Sequence, residues 1–66
     1  MAVTAIRVAD IAYDAARRSF EAAVEFFAPG LPMPLRVGVR LPAGQDLSHP
    51  MLVRGLVRAA ERQILR

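Results

Sequence analysis

The sequence predicts an α+β domain of order helix-strand-helix, assembled as an intertwined homodimer. Three observations carry this expectation. Residues 4–28 are rich in alanine and contain neither Gly nor Pro. Leu35-Arg36-Val37-Gly38-Val39-Arg40-Leu41 alternates apolar and polar residues with period two, the pattern of a half-buried strand. The chain offers that strand no second strand to pair with, and a lone strand leaves its backbone groups unsatisfied. The same strand from a second copy, antiparallel about a twofold axis, is the simplest mate.

The first element is read as a helix over about residues 4–28. Ile6, Tyr13, Phe20 and Phe27 recur every seven residues, and Ala9, Ala16 and Ala23 follow three residues after the first three of them. Large side chains alternating with Ala along one seam suit close helix packing. The acids Asp10, Asp14, Glu21 and Glu25 fall on the polar side, where a solvated helix face explains them without a metal or general-base role. A second reading starts with a strand over 2–8, since Val3, Thr4, Ile6 and Val8 are β-branched. Asp10 would then cap a shorter helix, and the order would become β-α-β-α.

The segment 29–34 carries three prolines and reads as a stiff connector into the strand at 35–41. Residues 42–47 form a turn around Pro42 and Gly44. The last element is a helix over about 48–65, capped by Ser48 or Asp46, with Pro50 tolerated in its first turn. Gly55 inside it costs about 1 kcal/mol relative to Ala, which points to close packing.

Composition narrows the function classes. With 66 residues and no cysteine, the chain has a small core and no disulfide or thiolate site to reinforce it. It is 55% hydrophobic with a mean hydropathy of +0.31, too apolar for disorder and apolar enough to call for a partner. All nine basic residues are Arg, which together with the alanine content suggests a GC-rich bacterial genome. Residues 1–28 hold three Arg against four acids, and residues 29–66 hold six Arg against two, so the basic character lies in the second half. No apolar run is long enough to span a membrane and no secretory signal opens the chain, so a cytoplasmic location is expected.

These features predict a non-catalytic oligomerising interaction module, or a small subunit of a larger complex, with no cofactor, no metal and no membrane partner. Its interface is expected at Ile6, Tyr13, Phe20, Phe27, Leu35, Val37, Val39 and Leu41. The alternative function is a nucleic-acid-binding dimer, with DNA as the ligand. Arg36 and Arg40 would present a ribbon to the major groove, and the stripe Arg54, Arg58, Arg62 would contact phosphates. His49 lies near Ser48 and Asp46, but neighbours in sequence seldom converge as a catalytic triad, and capping explains the latter two.

Overall fold

A computed structural model of the chain, describing residues 3–64, shows an antiparallel meander followed by one helix. The strands are β1 (Ala5–Asp14), β2 (Ser19–Phe27) and β3 (Leu35–Pro42), and α1 spans His49–Ile64. The sheet order is β1-β2-β3, so β2 is central and β1 and β3 are the edges. The α+β class stands, but the helix-strand-helix order does not.

The helix expected over 4–28 is instead a β-hairpin, and the reason lies in an ambiguity of spacing. Tyr13 and Phe20, seven residues apart, become cross-strand partners, as do Val8 and Val24, Ala9 and Ala23, and Ile6 and Phe26. Their repeat comes from folding the chain back on itself, not from a helical seam. The turn carries no Asn-Gly or Asp-Gly signal. Its residues are Ala15, Ala16, Arg17 and Arg18, all good helix formers. Asp14 supplies the missing turn chemistry: its carboxylate accepts from the Ala16 and Arg17 amides at 3.1 and 3.3 Å. Arg18 closes the loop in the left-handed region with φ of 49°. The β-α-β-α alternative fails at its second element for the same reason, although its first strand overlaps β1. Residue 2 of that strand lies outside the described residues.

β3 occupies the segment where alternation predicts a strand, but its partner is β2 of the same chain. Phe20 faces Leu41, Ala22 faces Val39, Val24 faces Val37 and Phe26 faces Leu35. An intermolecular ribbon through 35–41 is therefore not needed to satisfy this strand. The connector before it contains a turn closed by the Leu31 amide on the Ala28 carbonyl at 3.3 Å. Pro29 and Gly30 hold its central positions, and Gly30 takes φ of 85°, as a type II turn requires.

One face of the sheet is apolar and packs on α1. Phe20, Val24, Phe26 and Val39 from the sheet meet Leu52, Leu56 and Ala60 from the helix. The helix residues recur every four positions and so form one stripe. Val24, Leu56 and Ala60 are fully buried. Gly55 permits the close approach its presence implied, though the neighbour is a side chain. A Cβ there would meet Leu41 Cδ2 at 2.6 Å. The Leu52 amide donates to the Ser48 carbonyl at 2.9 Å, which places Ser48 at the helix start.

Candidate functional site

The face of the sheet opposite α1 is polar. β2 contributes Glu21 and Glu25 there, and Arg7 on β1 and Arg36 on β3 stand in register on either side of Glu25. Arg36 reaches Glu25 at 3.2 Å and also pairs with Asp10. Arg7 approaches Glu25 at 3.7 Å, Arg40 approaches Glu21 at 3.8 Å, and Arg17 approaches Asp14 at 3.8 Å. Hydrogen bonds first to Asp10 and then to Glu25 raise the Arg36 pKa above the ordinary arginine value. Pairs this exposed to solvent contribute little to stability. Their larger consequence is charge balance: Arg7, Arg17, Arg36 and Arg40 are matched by Asp10, Asp14, Glu21 and Glu25. Arg36 and Arg40 do share a face, as alternation predicts, but that face carries its own counter-charges.

The unmatched charge lies elsewhere. Arg54, Arg58 and Arg62 are exposed on the outer side of α1, and none forms a salt bridge among the described residues. Between Gly38 and the helix end, the Gln63 amide donates to the Gly38 carbonyl at 3.3 Å. Gly38 itself faces open space on the polar side, with nothing within 4 Å of an added Cβ.

The predicted interface residues divide into three groups. Phe20 and Val39 are buried in the chain's own core, with Tyr13, Val37 and Leu41 packed against it. The Tyr13 and Phe20 rings lie 4.8 Å apart at 58°. Phe27 points to the polar side and lines a groove with Thr4, Leu31 and the connector prolines. Ile6 and Leu35 remain at the surface, 43% and 39% exposed, on either side of the buried Phe26. Among the described residues, Phe26 is covered but its two neighbours Ile6 and Leu35 stay partly open, and Leu31 and Met33 on the adjoining connector are also exposed.

β1 is a strand that the preferred helical reading missed and the alternative, with a strand over 2–8, met only in part. It is an edge strand of ten residues whose side chains are all exposed or half-buried. Its pairing with β2 slips by one residue between Ala9 and Ala12, so Asp10 and Ile11 together oppose Ala22. Asp10 takes φ of 58°, which turns its carboxylate onto the polar face toward Arg36. The β-branched run at the start of the chain carried the signal for a strand; nothing in the sequence marked its continuation to Asp14.

Among the described residues, no hydrogen bond joins the Asp46, Ser48 and His49 side chains. No group of three or more His, Asp or Glu among them converges as a metal site requires. No helix among them is long and apolar enough to cross a membrane. No protein-family model, no curated protein and no solved structure matches this chain.

Proposed function

We propose that this chain is a small non-catalytic interaction module that works as an assembly, with itself or within a larger complex. The observation that carries the reading is the apolar surface left open among the described residues: Ile6 and Leu35 beside the core, Ile11 on the open edge, and Leu31 and Met33 on the connector. Such a surface on a chain this small needs a partner to remove it from water. A second reading, nucleic-acid binding, draws on the charge distribution. Among the described residues the arginines without a salt bridge are Arg18 at the hairpin turn and Arg54, Arg58 and Arg62 in a row along α1. Arg36 and Arg40, each beside a carboxylate, add little to that unpaired charge.

Sedimentation velocity on the full chain at micromolar concentration separates the two readings. Interaction through the apolar surface predicts a species at twice the 7.2 kDa chain mass or more. A folded monomer through about 100 micromolar, with association this weak on the affinity scale, overturns self-assembly. Adding a labelled DNA duplex at low salt tests the second reading. It predicts co-sedimentation that falls steeply as salt rises and is lost in an Arg54→Ala/Arg58→Ala/Arg62→Ala variant. A duplex that sediments alone at low salt eliminates it.

A further inference from the structure

The two edges of the sheet are not equivalent. α1 packs chiefly along β3, and Gln63 occupies the Gly38 carbonyl on that strand. No strand among the described residues pairs with the outer edge of β1. Alternate residues along the ten of β1 therefore present backbone donors and acceptors to solvent, together with exposed Ile6 and Ile11. An edge of this kind is a template for another strand.

Resting on the interaction reading, we propose that β1 is the site of self-association: it pairs antiparallel with β1 of a second copy about a twofold axis between Ala9 and Asp10. The two sheets then form one continuous sheet of three strands from each copy. The register follows from self-complementarity. With Ala5 opposite the partner's Asp14, β1 matches itself end to end. Ile6 then meets the partner's Tyr13, Val8 meets the partner's Ile11, and symmetry makes each contact twice. The side chains exposed in the single chain, Ile6 and Ile11, each gain an apolar neighbour.

The bulge makes this register workable. In a regular strand, side chains alternate strictly, and a pairing of odd-numbered with even-numbered residues would set opposite faces against each other. Asp10 breaks the alternation: it joins Ala9 on the polar face, while Ile11 falls with Val8 and Tyr13 on the helix side. Every directly opposed pair in the proposed register consequently shares a face. Charge agrees with shape. Arg7 stands opposite the partner's Ala12, with the partner's Asp10 and Asp14 at the two diagonal positions, about 7–8 Å away and within reach of a long side chain. The two Asp10 carboxylates come together near the axis in this register, and Arg36 of each copy stands beside its own Asp10 to offset that repulsion.

The chain has no cysteine, so introduced thiols report the register directly. In the full chain, Ala9→Cys places two thiols beside the axis on the same face. Mild oxidation should convert most of it to a disulfide-linked dimer. Ala5→Cys places the two thiols about 30 Å apart by strand rise and should not cross-link. A dimer by sedimentation in which Ala9→Cys fails to cross-link, or Ala5→Cys cross-links equally well, overturns the β1 register and leaves the interaction reading standing. A wild-type chain that sediments as a folded monomer overturns self-association through β1 and leaves only assembly with a different protein, and the bulge and charges of β1 then act to keep the edge unpaired.

Discussion

Leu56→Ala removes most of the folding free energy of this protein. Leu56 is fully buried at the middle of α1 and faces Val24, Phe20 and Val39 across the only core the described chain has. Truncating a buried leucine to alanine costs about 2–5 kcal/mol, from lost transfer free energy and the cavity left behind. A domain of this size without disulfides or metals holds about 3–5 kcal/mol in total. Urea denaturation followed by circular dichroism, with wild type and variant at the same protein concentration, should show a midpoint shifted to near zero denaturant. A loss below about 1 kcal/mol would mean that α1 is not seated on the sheet.

Val24→Lys unfolds the protein outright and also tests the central correction to the sequence reading. In the sheet, Val24 sits at the centre of β2 between Val8 and Val37 and is fully buried beneath α1. The carboxylates of its own strand, Glu21 and Glu25, point to the other face of the sheet and leave an ammonium there without them. Burying an unpaired charge costs more than the whole stability of a domain this small. In a helix over 4–28, position 24 would lie at the margin of the apolar stripe, three residues after Glu21, so a lysine there could reach both a carboxylate and solvent. Circular dichroism of the purified variant therefore distinguishes the two: loss of the folded signal for a central strand, retention for the margin of a helix stripe.

The contrast between β1–β2 and β3 shows what could be read from the residues. Leu35 to Leu41 announces itself because arginine and glycine separate its branched residues, so period two is unmistakable. Pro29 to Pro34 and Gly44 bound it on both sides. The last helix is equally legible from Ser48, Pro50 and the Leu52, Leu56, Ala60 stripe. In the hairpin, by contrast, small apolar alanines occupy both faces: Ala22 lies beneath the helix and Ala23 on the polar side. Alternation is blurred, and helix propensity decides the reading by default. The bulge at Asp10 and Ile11 removes what periodicity β1 had left. Tertiary pairing across Val8–Val24–Val37 and Tyr13–Phe20–Leu41 outweighs that propensity.

The candidate surfaces follow the same division. That Arg36 and Arg40 share a face was legible from alternation; their carboxylate partners were not, since Glu21 and Glu25 come into register only once β2 is a strand. Ile6 and Leu35 remain available at the surface, while Phe20 and Val39 serve the chain's own core. The strand at 35–41 needs no partner from a second chain, because β2 pairs with it; β1 and β3 are both edges of the sheet, each paired with β2 on one side.

Residue-resolved amide exchange along β1, in the full chain at concentrations spanning the association, tests the proposed pairing most directly. In an antiparallel edge strand, alternate amides point toward the neighbour and outward to solvent. Pairing of β1 with a second copy predicts protection on both sets of amides from Ala5 to Asp14, with the outward set losing protection on dilution while the inward set keeps it. If the outward amides exchange freely at every concentration while those facing β2 stay protected, the edge is open and the proposed pairing is wrong.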